Sequence, residues 1–170
     1  GQGRCNLTNA CDMEKLMDSV CTNRKFLYSA FYGCTNQDVI NFFETHGMKT
    51  KTERGDRVFP LSDKSADVID TLRDAMKKSG VKVHLHTEVE SILFEDTAEE
   101  EKKILGIKLK NGTEIPADRV LVATGGLSYK TTGSTGDGYR FAESAGHKVT
   151  ELSPSLVPFN TREEYGKRMQ

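Results

Sequence analysis

LVATGGLSYKTTGSTGDGYRFAESAGH, Leu121 to His147, decides how the rest of the chain is read. It opens as an apolar run, passes six glycines and closes with helical spacing. Together with the preceding residues, "DRVLVATGG" reads as a continuous apolar strand of the kind buried on both faces of a parallel sheet. Ligands in such sheets sit beyond the carboxyl ends of the strands, where "ATGG" falls. Gly125 and Gly126 hold no side chain against a ligand, and their amides can face an anion or a polar ring edge. A helix is expected from about Asp137 or Gly138, with Tyr139, Phe141, Ala142 and Ala145 on its packing side and Gly146 as its stop. Thr135 or Asp137 is placed to cap its first amides, and negative charge is favoured there. Gly133, Gly136 and Gly138 read GxxGxG, the reverse of the dinucleotide fingerprint, and no Gly-Lys-Ser/Thr follows. Singly these glycines are turn formers; together, after a buried strand, they favour a ligand.

Working outward, "VKVHLH" from Val81 reads as a second strand, with Val81, Val83 and Leu85 inward and His84 and His86 on a solvated face. Between the two lie "EVESILFE", "ILGIKLK" and a short third strand, about 88–94, 104–110 and 113–116, with "EDTAEEEKK" as a solvated loop. Lys110-Asn111-Gly112-Thr113 signals a type I′ hairpin. Upstream, Ser62 or Asp63 caps a helix to Lys78 whose stripe is Ala66, Ile69, Leu72, Ala75 and Met76. "MKTKTERGDRVFP" suggests two strands around Gly55-Asp56, and Met13 to His46 is helical, with Thr35 and Asp38 spaced as a capping box. The order is helix, parallel strand, meander, parallel strand, glycine loop, helix: an α/β fold with a β-meander inserted as a crossover.

Composition narrows function. The chain has 170 residues, 36% apolar and 29% charged, with 24 basic against 25 acidic side chains and no basic stripe carrying interleaved aromatics, so no nucleic-acid partner is expected. No apolar run approaches the roughly 18 residues of a membrane span, so no membrane partner is expected and a soluble, cytoplasmic protein is read. Cys5, Cys11, Cys21 and Cys34 form no CxxC pair and lack matching His spacing; reduced thiols, not a metal site, are expected.

"GRCNLTN" near the start is the second ligand candidate. Arg4 offers a planar fork for phosphate or a ring carbonyl, and Asn6 and Asn9 offer amides; the competing reading is a helix-capping loop with a surface arginine.

"GRCNLTN", "RVFP", "LVATGGLSY" and "TGSTGDGYRFAESAGHKVTELSPSLVPF", in this order, resemble the FAD-dependent oxidoreductases grouped with aminoacetone oxidase and bile-acid-reducing flavoproteins, of the glutathione-reductase-type FAD fold. The resemblance covers most of the chain; Gln2 and Lys130 stand where that family usually has glycine and proline. It implies a partial FAD/NAD(P)-binding Rossmann-like domain over 1–155, with the meander inserted and an N-terminal helical segment, and the start of a substrate domain at 156–170. It also implies that Gly3, Arg4, Cys5 and Asn6 lie along the FAD pyrophosphate and toward the flavin, and that Val89 presents its backbone to the adenine. Ala123, Thr124, Gly125 and Gly126 would form the second FAD-contacting turn, and Thr135, Gly136, Asp137 and Gly138 would support the flavin-side pocket.

The implied activity is non-covalent FAD binding with hydride or electron transfer to or from a small-molecule substrate, NAD(P)H being a candidate donor. Because the GxGxxG strand is not in this sequence, the isolated chain is expected to bind FAD weakly and not to catalyse. Tyr129, Asp137 and His147 are the general acid or base candidates, none of them oriented by sequence; Asp137 reads better as a helix cap and His147 as a surface residue. The alternative class is a non-catalytic α/β interaction module docking through the helical Met13 to His46 segment, with Phe26, Leu27, Tyr28, Phe31, Tyr32, Phe42 and Phe43; an enzyme binding a mononucleotide or phosphate at the "TGDG" helix is a third.

Overall fold

Thr35 starts a helix as its spacing predicts. In the computed structural model, which describes residues 3–95, 103–128 and 130–154, its side chain accepts from the Asp38 amide while Asp38 accepts from the Thr35 amide. That box opens α3, Asn36–Thr45, and the shared hydrogen bonds from Thr35 hold the Asp38 carboxyl below its ordinary range. Thr35→Ala removes one half of the box, so thermal melts should show a loss of about 1 kcal/mol. The helix buries Asn36, Ile40 and Phe43 at i, i+4 and i+7, and ends where Met48 N donates to Phe43 O and Gly47 N to Glu44 O, the paired bonds of a Schellman stop.

The described residues divide into two units between Leu85 and His86. In the first, α1 (Met13–Asp18), a 3₁₀ turn (Arg24–Leu27) and α2 (Tyr28–Gly33) precede α3, so the segment Met13 to His46 is helical, as expected. The expected hairpin also forms: β2 (Thr50–Glu53) pairs antiparallel with β3 (Arg57–Pro60), with Gly55 and Asp56 at φ 79° and 58° in the turn. A two-residue strand β1, Thr8–Asn9, adds to the other edge of β3. This makes β3 the central strand, and its Val58 and Pro60 are fully buried. Phe43, Met48 and Val68 form the core behind it, with Leu7 and Val39 packed alongside.

Helix α4, Ser65–Lys78, has the expected length and a different face. Val68 is its buried residue, while Ile69, Leu72 and Met76 of the expected stripe are exposed. Its cap also differs: Lys64 is the N-cap residue and makes no side-chain cap bond. Ser62 instead donates to Asp67 at 2.5 Å, and Asp63 is taken by Arg4 and Lys51. A carboxylate with two cations in reach gains more from them than from one amide.

In the second unit the meander appears as read: β4 (Val89–Phe94), β5 (Ile104–Leu109) and β6 (Glu114–Pro116), antiparallel in that order. The acidic run expected as its first loop falls largely on 96–102, outside the described residues. The β5–β6 turn is not type I′. Gly112 N donates to Leu109 O and Leu109 N to Thr113 O, closing a three-residue loop in which Gly112, at φ 85°, takes the left-handed position and Asn111 does not. Asn111 Oδ1 accepts from the Thr113 amide at 3.0 Å, a local turn bond that explains why it leaves the left-handed role to glycine.

Two expected strands are corrected. Val81–His86 and the run before Gly125 form no ladder, and Val81, Val83, Leu85 and Leu121 are exposed. Both carry strand composition, but a strand exists only when a neighbour takes its hydrogen bonds, and no described strand pairs with either. The described sheets are therefore antiparallel. Helix α5, Asp137–Ser144, follows the glycine loop and stops in a second Schellman pair, His147 N to Ala142 O and Gly146 N to Glu143 O. No helix among the described residues is long and apolar enough to cross a membrane.

Candidate functional site

The first-unit candidates sit on the loop leading into β1. Its asparagines anchor the loop. Asn6, with its amide nitrogen turned to the carbonyls, donates to Val58 O and Thr8 O, and Asn9 donates to Gly55 O while accepting from the Cys11 amide. Asn36 fastens the same loop to α3 by donating to Asn9 O and Cys11 O at 2.6 and 2.7 Å. These bonds tie the loop to β3 and to the β2–β3 turn; neither asparagine caps a helix, and the N-cap of α1 is Asp12. Gly3 O accepts from Ser65 N, and Cys5, at φ 60°, carries an exposed thiol.

Arg4 is different. Its guanidinium lies over the Phe59 ring at 4.2 Å, its Nε donates to Asp63 at 2.6 Å and its Nη2 donates to Glu53. Lys51 joins the cluster, 2.6 Å from Asp63 and 3.4 Å from Glu53. One edge of the fork is thus spent on carboxylates, and Nη1 makes no hydrogen bond among the described residues. Sequence reasoning found Arg4 and "RVFP" separately; Phe59 beneath Arg4 is what joins them. Arg4 and Lys51 hold the Asp63 carboxyl below its usual range, with the Lys51 bond the larger cause, and Arg4 does most to hold Glu53 down. A lowered folded value means that the contribution is complete above the unfolded carboxylate value, about 4, and is lost as pH falls through the lower folded one. The stability gap between the wild type and Arg4→Gln should accordingly stay constant near neutrality and close on acidification below about pH 4. Urea melts at stepped pH measure it; a gap unchanged down to pH 2 would contradict the assignment.

In the second unit, the Ala123–Gly126 turn lies directly against the start of α5. A Cβ on Gly138 would stand 3.0 Å from Thr124 Oγ1, one on Gly126 would stand 3.3 Å from the Tyr139 hydroxyl, and one on Gly125 would stand 3.0 Å from Ser134 Oγ. These glycines therefore admit side-chain hydroxyls of the protein to the turn. Gly133 meets nothing within 4 Å and is a turn former only. Among the described residues no backbone–backbone hydrogen bond involves 118–126, so the turn offers small side chains, unspent amides and a ring of hydroxyls. That donor set fits the polar edge of a bound nucleotide or flavin.

The helix start is not capped as expected. Gly136, at φ 87°, is the N-cap residue and makes no side-chain cap bond. Asp137 accepts from the Thr135 hydroxyl at 2.8 Å and from Arg140 at 3.0 Å, and these two bonds, Thr135 first, hold its carboxyl below the usual range. Arg140 also donates to Glu90 O, one residue beyond Val89, which sequence reasoning missed. Val89 is half-buried in β4 beside a bulge, since Val89 pairs with Leu109 and Ser91 with Lys108. His147 is exposed, and Tyr129 lies outside the described residues.

Elsewhere in the first unit a cavity of about 530 Å³ opens among His46, Lys49, Leu61, Asp67, Asp70 and Asp74, touching no expected site residue. Among the described residues no group of His, Cys, Asp and Glu is arranged to hold a metal, and the cysteines are free thiols.

A glycine turn closed on a helix start, fed by an antiparallel meander, is the kind of backbone site that nucleotide-binding α/β domains use. The sequence pattern of the HI0933-like protein Rossmann domain matches residues 1–161, and the chain belongs to that family of FAD-binding oxidoreductases. It is 32% identical over 170 residues, 95% of this chain and 37% of the relative, to a 3-dehydro-bile acid delta(4,6)-reductase of Clostridium scindens. It is 30% identical over 171 residues, 100% of this chain and 40% of the relative, to a ribosomal RNA dihydrouridine synthase of Escherichia coli. A protein of the same name from Haemophilus influenzae is 31% identical over 164 residues, 96% of this chain and 39% of the relative. The chain thus spans about two fifths of the length of these curated relatives.

Proposed function

We propose that this chain is the part of a flavoprotein that grips FAD without a covalent bond, and that the whole protein reduces an unsaturated small organic molecule with electrons from NAD(P)H. The observation that supports it most is the Ala123–Gly126 turn, small and unpaired, set against the start of α5. When bound, the flavin ring supplies hydride chemistry that side chains lack. The chain's own residues bind and orient: the Gly125 and Gly126 amides face the cofactor, Thr135–Gly138 shape the pocket beside it, and Val89 offers its backbone to the adenine. Arg4 keeps Nη1 for the pyrophosphate while Asp63 and Glu53 fix its other edge. Two of the relatives' names, a delta(4,6)-reductase and a dihydrouridine synthase, both denote hydrogen added across a carbon–carbon double bond, which supports the reaction class. The near balance of 24 basic and 25 acidic residues favours a small substrate over RNA. Free thiols in all four cysteines suit a reducing compartment, so we place the protein in the cytoplasm.

Catalysis is assigned to the longer protein, not to these 170 residues alone. The test is anaerobic: a chain extended at both ends to the relatives' length, loaded with FAD, should bleach on adding NADH or NADPH and regain colour on adding an α,β-unsaturated ketone. Bleaching with no reoxidation by any unsaturated compound would remove the substrate class. Recovery with uridine-containing RNA alone would replace the small substrate by RNA.

A further inference from the structure

The β4 bulge leaves Glu90 without a partner in the register, because Val89 faces Leu109 and Ser91 faces Lys108. Its carbonyl accepts from Arg140 Nη1. The same guanidinium donates through Nη2 to Asp137 Oδ1 at 3.0 Å, and Asp137 Oδ2 in turn accepts from Thr135 at 2.8 Å. Its guanidinium carbon lies over the buried Phe141 ring, 4.5 Å from the ring centroid. Two segments about fifty positions apart, each assigned to a different end of the cofactor, are thereby tied by one side chain.

Resting on the FAD reading above, we propose that Arg140 is a positioning residue for the cofactor: it sets the adenine-side strand at Val89–Ser91 against the Thr135–Gly138 turn. The arrangement needs a fork. Arg presents separate N–H groups in a fixed plane, whereas a lysine carries its three donors on one nitrogen at the end of a flexible stem and holds a carbonyl and a carboxylate in register less rigidly. The bulge is the matching feature on the strand, since a regular ladder would have kept the Glu90 carbonyl occupied.

The test uses the chain extended at both ends, with Arg140→Gln, Arg140→Lys and Asp137→Asn. FAD affinity is read by quenching of flavin fluorescence, and amide hydrogen exchange is read on the protein before FAD is added. Arg140→Gln should weaken FAD binding about tenfold, the scale of losing two modest hydrogen bonds, and Arg140→Lys should recover only part of it. Combining Arg140→Gln with Asp137→Asn should cost less than the sum of the two, because both break one bridge. Exchange should quicken together at 89–91 and 137–140 in Arg140→Gln, without FAD. Affinity within twofold of wild type, full recovery by lysine, or exchange that changes at only one of the two segments overturns the role. A wild-type extended chain that takes up no FAD overturns the flavin reading itself and this role with it.

Discussion

Gly106→Ala is expected to destabilise the meander by about 3 kcal/mol, the upper end of ordinary single substitutions. A Cβ there would stand 2.2 Å from Ile115 O and 2.9 Å from Pro116 Cα, backbone atoms of the partner strand that cannot swing aside as a side-chain tip can. Its φ of 152° adds strain for any residue with a Cβ. Gly112→Ala is the control: φ is 85° but nothing lies within 4 Å, so it should cost only about 1 kcal/mol, the left-handed penalty alone. Urea melts followed with amide exchange across β4, β5 and β6 separate the two. Equal costs would mean that the close approach of β6 is not what glycine serves at position 106. Val89 lies on β4 and pairs with β5 at Leu109, so if its backbone meets the adenine as proposed, losing the meander should also lower FAD affinity of the extended chain.

Gly138→Val should cut FAD affinity of the extended chain about 100-fold, or about 2.7 kcal/mol. Gly138 lies inside α5, where glycine is a poor helix former, so a larger residue would by propensity favour the helix. The obstacle is steric: the new Cβ meets Thr124 Oγ1 at 3.0 Å and Val122 Cγ1 at 3.6 Å, and the γ-methyls of valine reach further into the turn. Ala123–Gly126 must then move away from α5, carrying its amides with it. Circular dichroism should show the helix retained while the fluorescence titration shows the loss. An affinity change as small as that of Gly133→Ala, whose surroundings are open, would mean that the turn and the helix start do not form one site.

The elements that were legible in the sequence are those whose determinants are local. Thr35 and Asp38 make their box within four residues, the glycine stops at 47 and 146 close on their own helices, and the three meander strands follow from alternation and turns. What misled was anything that depends on a partner. "VKVHLH" and "DRVLVATGG" have the composition of strands, yet no described strand pairs with either. The α4 stripe was read toward the core, but Val68 is the residue that meets Phe43 and Met48, which leaves Ile69 and Leu72 exposed.

The candidate residues were named by segment, and their contacts were not legible in the sequence. The family resemblance brought the residues of both halves to attention, and the HI0933-like Rossmann match agrees with it. Which carboxylates claim Arg4, and that Asp137 serves Thr135 and Arg140 rather than the helix amides, are choices among polar groups that sequence spacing leaves equally open. The Glu90–Arg140 bond spans a separation of 50 residues and hinges on a bulge, a feature with no sequence signature here.

The measurement that bears most directly on the central claim is the visible absorption of two purified chains, this one and one extended at both ends to the length of the relatives, each before and after adding FAD. The flavin reading predicts a yellow extended chain that keeps its FAD through gel filtration, and a 170-residue chain that keeps little or none. An extended chain that stays colourless in saturating FAD would contradict it, and the glycine turn against α5 would then have to hold something other than a flavin.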